Sequence, residues 1–213
     1  SGKANLTASL GGVKAKTLLL DPKNIEIKES ASSLLSVLSI VNPNNNAGDE
    51  FGGGLTELAN GNLVVHARSS DITGDTPVLN VGRVYLYSAN GTLISTLSGS
   101  HANDRVGSSS GSDGFPSITT LSNGNFVLRS DDWNNGTLAT SAGAVTWVNG
   151  STGLNGVVSD ANSLVGSSAG DRVGRSNNNA LTVITLSNGN YVVRSDNWDA
   201  STLATDAGAV TWG

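Results

Sequence analysis

The sequence predicts an all-β protein made of four-stranded antiparallel, blade-like repeats, β-propeller-like, with a period of about 65 residues. A short strand-rich segment precedes them. Three observations carry this. Residues 121–133 (LSNGNFVLRSDDW) return as residues 186–198 (LSNGNYVVRSDNW) and, more diverged, as residues 58–68 (LANGNLVVHAR). Their Asn-Gly-Asn centres fall at Gly61, Gly124 and Gly189, spacings of 63 and 65 residues, which signals a modular repeat architecture. Each centre is flanked by apolar runs, the pattern of a β-hairpin, for which a type I′ turn with positive φ at both central residues is expected. Finally, Gly is abundant (27 residues), charged residues make up only 14%, and long helical periodicity is lacking. A β-solenoid ranks second, because a stacked coil needs a much shorter repeat.

Residues 1–47 form the N-terminal segment. Ala4, Leu6, Ala8 and Leu10 alternate with polar residues, as a strand requires. A Gly11-Gly12 turn leads to a second strand over 13–20, Asp21-Pro22 breaks it, and Ile25 and Ile27 mark a third. Leu34, Val37, Leu38 and Val41 fit one face of a short helix begun by Ser30–Ser33. Charge supports a boundary near Pro43: all five lysines precede residue 29, leaving residues 1–47 at net +2, and the remainder, with seven arginines and fourteen acids, at net −7.

Repeat 1 covers 48–102, repeat 2 covers 103–169 and repeat 3 covers 170–213. Each opens on an entry of the form Asp-X-(Phe/Val)-Gly: GDEFG at 48–52, NDRVG at 103–107 and GDRVG at 170–174. The Asn-Gly hairpin follows, then a strand led by glycine (GRVYLY at 82–87, GAVTW at 143–147 and 208–212), then a fourth strand, expected at 92–97 and 156–159. Repeat 3 reaches position 213 just after its third strand and is therefore incomplete. Open edges invite pairing, so residues 16–20 or 24–28 are expected to complete it, within the molecule or in a neighbour. An equal alternative is a sequence cut at that glycine.

GDEFG followed by LANGNLVV and GRVYLY resembles the FG-GAP blade of integrin α-subunit propellers and their bacterial relatives. SNGN(F/Y)V(L/V)RSD(D/N)W…AGAVTW resembles repeats of large bacterial secreted exoproteins of the filamentous-haemagglutinin, two-partner-secretion type. Residues 1–28, with TLLLDPKNIEI, resemble the segment that ends the β-helical part of such exoproteins. The resemblance implies a surface protein used in adhesion or matrix building. The Asp-rich Ca²⁺ loop of the integrin blade is replaced here by Ser-Asn-Gly-Asn, so metal binding does not carry over.

Composition bounds the function further. Cys is absent, which removes disulfides and thiolate metal sites. Met is absent too, and the chain begins Ser-Gly, as expected of a processed product or an excised piece. A net charge of −5 argues against a nucleic-acid surface, and no apolar run approaches the ~20 residues of a membrane span.

The candidate ligand-binding residues are Asp131, Asp132 and Trp133 with their counterparts Asp196, Asn197 and Trp198. A flat aromatic face beside hydrogen-bonding groups suits a sugar, although packing between blades accounts for a repeated Trp at least as well. Asp and Asn in such loops, Asp199 included, more often close turns than bind Ca²⁺, and no DxDxDG spacing occurs. No cofactor is expected. Trp147, Trp212 and Tyr85 lie in strands and are expected in the core, and Arg129 and Arg194 are expected to pair with the entry aspartates Asp104 and Asp171. Catalysis finds no support: His66 and His101 share no repeat position, and no Ser/His/Asp order recurs. The expected function is that of a non-enzymatic, secreted, structural or adhesive surface or matrix protein. Its partners are itself, other surface proteins or glycans, with filaments formed by strand complementation; a carbohydrate-binding module is the alternative.

Overall fold

The computed structural model describes residues 39–108, 117–137, 139–177 and 181–213. The chain divides into two compact units, Ser1–Ser39 and Ile40–Gly213, and the architecture below is that of the second. The expected N-terminal strands, the helix over 34–41 except its last residues, and the donor strands at 16–20 and 24–28 lie outside the described residues; Val41, which is described, is exposed and not helical. Among the described residues there is no helix.

Repeat 1 contributes β1 (Gly54–Glu57), β2 (Leu63–Ala67), β3 (Arg83–Tyr87) and β4 (Leu93–Ser98), antiparallel in chain order. Repeat 2 contributes β5 (Ile118–Thr120), β6 (Phe126–Ser130), β7 (Ala144–Val148), β8 (Gly156–Val157) and β9 (Ser163–Val165). Repeat 3 contributes β10 (Val183–Thr185), β11 (Tyr191–Ser195) and β12 (Ala209–Trp212), a three-stranded sheet. The all-β, blade-like reading therefore holds, as several small antiparallel sheets rather than a closed barrel.

The Asn-Gly hairpins form, but not with type I′ turns. Only the glycine is left-handed (Gly124 φ +83), and Gly124 N–H bonds Leu121 O at 3.1 Å while Leu121 N–H bonds Asn125 O at 2.8 Å. This is an ordinary turn followed by a left-handed glycine, a common longer hairpin connection. The preceding asparagine keeps negative φ because its side chain closes the turn, Asn123 Oδ1 accepting the Asn125 N–H at 3.1 Å.

Period-two alternation sends each strand's side chains to two faces, and the sheets pack face on face. Val64, Val84, Leu86 and Leu97 of sheet 1 meet Ile118, Phe126, Leu128 and Ala144 of sheet 2 in the main core. The other face of sheet 2, Val127 and Val145, meets Val183 and Val193 of sheet 3. Fully burying such side chains contributes about 1.5–3 kcal/mol each. The outer face of sheet 1, with Val65, Tyr85 and Tyr87, is covered by Ile40 and Phe51.

One strand departs from the expected order. Residues 156–159 do not form the fourth strand of repeat 2; β8 instead crosses back to sheet 1, parallel to β4 with Leu97 opposite Gly156. Val158 finishes in the core between sheets 1 and 2, and Gly150 O accepts from Asn62 Nδ2 at 2.8 Å. The fourth strand of sheet 2 is β9, antiparallel to β7 and held by a 2.7 Å hydrogen bond between the Ser163 and Thr146 hydroxyls.

Candidate functional site

The recurring chemistry of the chain converges on the junctions between repeats. The entries of repeats 2 and 3 cross from one sheet to the next, and their aspartates are the pivots. Asp104 is fully buried: Oδ2 accepts the Ser100 and His101 N–H groups, both at 2.8 Å, and Oδ1 accepts Asn134 N–H at 3.0 Å and Nδ2 at 2.9 Å. Asp171 repeats the pattern with Ser167, Ser168 and Asp199 N–H groups. Asp49 does so with Asp71 N–H and the Asn42 and Asn44 amides, which ties residues 42–44 into repeat 1. A carboxylate that accepts several N–H bonds can stay buried.

This corrects the expected pairing of the entry aspartates with Arg129 and Arg194. Those arginines take the next acid along their own loops: Arg129 Nε lies 3.9 Å from Asp131 Oδ1, and Arg194 Nε lies 2.5 Å from Asp196 Oδ1. The entry carboxylates are already filled by backbone donors.

The residue after each entry aspartate is left-handed: Glu50 (φ 54), Arg105 (φ 45) and Arg172 (φ 45). Its side chain changes sign from one repeat to another while the strained backbone does not, so the conformation serves the crossing rather than a ligand. There the entry docks on the preceding repeat. Asn103, Arg105 and Val106 N–H groups bond Leu79, Asn80 and Val81 carbonyls at 3.0 Å each. Gly170, Arg172 and Val173 bond Thr140, Ser141 and Ala142 at 3.0, 3.2 and 2.9 Å.

A side-chain clasp accompanies these bonds. At the second junction Arg129 Nη1 donates to Gly174 O at 3.2 Å and to Thr182 Oγ1 at 2.5 Å. At the first, the matching residues are His66, Gly107 and Ser117, and Ser117 Oγ lies 3.3 Å from His66 Nδ1. Burial pushes the His66 imidazole below its ordinary 6.5, with the Gly107 backbone opposing. Together with Gly54 and Arg68 they line a cavity of about 240 Å³. A serine beside a histidine resembles a nucleophile and its base, but its place is that of the Arg129–Thr182 clasp. His66 Nε2 has no hydrogen-bond partner among the described residues, so no acid orients it. Sequence reasoning missed this pair because His66 and Ser117 become partners only once the repeats are aligned and stacked.

The sequence-predicted residues are brought together only repeat by repeat. Asp131 is buried beside Arg129, and Trp133, 3% exposed, is part of the core between sheets 1 and 2. Trp198 packs against the core between sheets 2 and 3. Burial opposes ionisation of Asp196, but hydrogen bonds from Asn177 N–H, Arg194 and Ser176 outweigh it and hold its carboxyl below the usual range. Asn197 Nδ2 donates to Asp206 Oδ1 at 2.9 Å, and Asp199 Oδ1 accepts Asp206 N–H at 2.7 Å. Asp132 is flanked by two entry arginines, Arg105 Nη1 at 3.7 Å and Arg172 Nη1 at 3.8 Å, in an open polar groove lined also by Asn103, Asn134 and Thr137. Among the described residues no three His, Asp or Glu side chains gather as a metal cluster.

The expected aromatic core residues divide. Tyr85 is buried, with Phe51 edge-on at 5.5 Å between ring centroids. Trp147 and Trp212 are not core: they are 42% and 64% exposed. Trp147 holds the place of Leu86, which is closed over by the returning segment that carries Gly153 and Leu154.

Residues 120–175 and 185–213 match the model of a family described as a repeat of unknown function, DUF5650. The matched stretches contain the Asn-Gly turns and the second and third strands of repeats 2 and 3, together with the repeat 3 entry. No curated protein matches the chain. Among the described residues no helix is long and apolar enough to cross a membrane.

Proposed function

We propose that this is a non-enzymatic structural protein, secreted and displayed on a surface or in an extracellular matrix, that works through protein–protein contact and assembles with copies of itself. The observation that carries the reading is that the recurring signature residues are spent on joining repeats. Asp104 and Asp171, Arg129, Trp133 and Trp198 all face a neighbouring repeat or its crossing loop rather than a shared cleft. Among the described residues nothing pairs with the outer edge of β12 or covers the outer face of repeat 3, and there this joining chemistry is left over. The likeness to FG-GAP and filamentous-haemagglutinin-type repeats points to adhesion or matrix building. Light scattering with electron microscopy tests the reading: filaments or concentration-dependent oligomers support it, and a strict monomer at high concentration refutes it.

Exposed Trp147 and Trp212, at matched positions, favour a second reading as a sugar-binding module. A glycan array comparing wild type with Trp147→Ala tests it. Specific binding lost in a folded variant supports it, and no binding by wild type ends it.

A further inference from the structure

The face of repeat 3 turned away from repeat 2 repeats the face that repeat 2 presents to repeat 3 at Val192, Arg194 and Val210, which match Val127, Arg129 and Val145. Val210 occupies the place of Val145, yet it is 75% exposed where Val145 is 2% exposed. Ala207 is exposed where Ala142 is fully buried. The carbonyls of Thr205, Asp206 and Ala207 match those of Thr140, Ser141 and Ala142, which accept the repeat 3 entry, and have no hydrogen bond among the described residues. Arg194 matches Arg129 but, with no carbonyl and hydroxyl to clasp, turns back to Asp196. A Cβ on Gly143 would lie 2.3 Å from Val173 N of the docked entry, whereas one on Gly208 meets nothing closer than 3.6 Å. Asp206 holds the left-handed φ of 49 that Ser141 adopts beneath the docked entry. The receptor geometry is formed, and among the described residues no segment docks on it.

The opposite end of the unit carries the complement. Gly48, Glu50 and Phe51 match Gly170, Arg172 and Val173, and their N–H groups have no hydrogen bond among the described residues. Leu55, at the place of buried Ile118 and Val183, is 62% exposed. Gly52 matches Gly174 and offers its carbonyl to Arg194; Gly54 stands where Thr182 would supply the hydroxyl, so that half of the clasp is missing.

We infer that the exposed face of repeat 3 docks the entry and first hairpin of repeat 1 from a second copy of this chain, head to tail, reproducing the junction used twice within the unit. This deepens the self-assembly reading and rests on it. It names a face-on contact in place of pairing along the β12 edge. A heterologous contact of this kind propagates into an open filament unless the rotation closes it into a ring.

Sedimentation velocity over a concentration series tests it with Val210→Asp and Leu55→Asp. Both positions are exposed in the isolated unit, and circular dichroism checks that each variant stays folded. Wild type should grow in size with concentration, and each variant alone should associate at least about tenfold more weakly, since a lone carboxylate would be buried in the junction. An equimolar mixture of the variants should stop at a dimer, because the intact repeat 3 face of Leu55→Asp meets the intact entry of Val210→Asp. Assembly unchanged in both variants overturns face-on docking while leaving the self-assembly reading standing. Loss in Val210→Asp alone indicates a tail-to-tail pair and overturns the head-to-tail contact. A monomeric wild type removes both the contact and the self-assembly reading.

Discussion

Gly143 and Gly208 occupy the same place in two copies of Ala-Gly-Ala-Val-Thr-Trp, with φ of +75 and +74. Replacing either by alanine puts a Cβ on a left-handed residue, at a cost of about 1 kcal/mol. Only at Gly143 does the new atom also meet the next repeat, 2.3 Å from Val173 N and 2.6 Å from Arg172 C. Both atoms are backbone, so the entry itself must shift, straining the Arg172–Ser141 and Val173–Ala142 hydrogen bonds. Two such bonds contribute about 1 kcal/mol each, and overpacking adds about 1–3 kcal/mol. Gly208→Ala should therefore cost about 1 kcal/mol and Gly143→Ala about 3–5 kcal/mol. In a chain of this length the difference of about 2–4 kcal/mol is a fall in Tm of roughly 4–16 °C between the variants. Thermal unfolding in dilute solution reads this directly. If the two variants melt within about 1 °C of each other, the entry does not rest on Gly143 and the junction geometry is wrong.

Three further predictions bear on the same construction. Asp104→Ala should destabilise by about 3 kcal/mol or more, because it leaves the Ser100, His101 and Asn134 N–H groups buried or half-buried without an acceptor; urea unfolding measures this. Trp133→Ala should cost about 3–5 kcal/mol and Trp147→Ala within about 0.5 kcal/mol, an order opposite to the one their strand or loop positions suggest. For His66 the folded imidazole binds protons less readily than the unfolded one. Its contribution to stability is thus present above pH 6.5 and is lost as the pH falls through that value toward the folded pKa. Tm followed across this range should show the loss in wild type and not in His66→Gln.

The repeat register, the hairpins and the strand-leading glycines were legible in the sequence because each is a local signal with a period of its own. The junctions were legible only in part. The entry aspartates stood out, but their partners did not: a buried carboxylate can be satisfied by an arginine or by backbone N–H groups, and sequence does not show which backbone turns toward it. Trp133 stands in a loop and is core, as packing between blades leads one to expect of a repeated Trp. Trp147 looked like a core residue, yet sheet 3 covers its face only at Val127 and Val145 and leaves Trp147 exposed, whereas Leu86, at the same place in repeat 1, is closed over. The His66–Ser117 contact spans 51 residues and no motif predicts it.

The crossing of β8 changes what counts as a unit. The stretch that recurs in sequence is not the stretch that folds together, because sheet 1 takes in residues 156–157 from repeat 2. A recombination or a designed truncation placed at the repeat boundary would remove the edge of one sheet along with the whole of the next. The modules are interlaced like hooked links, and a module transplanted to another protein must carry the first half of its successor's return loop with it.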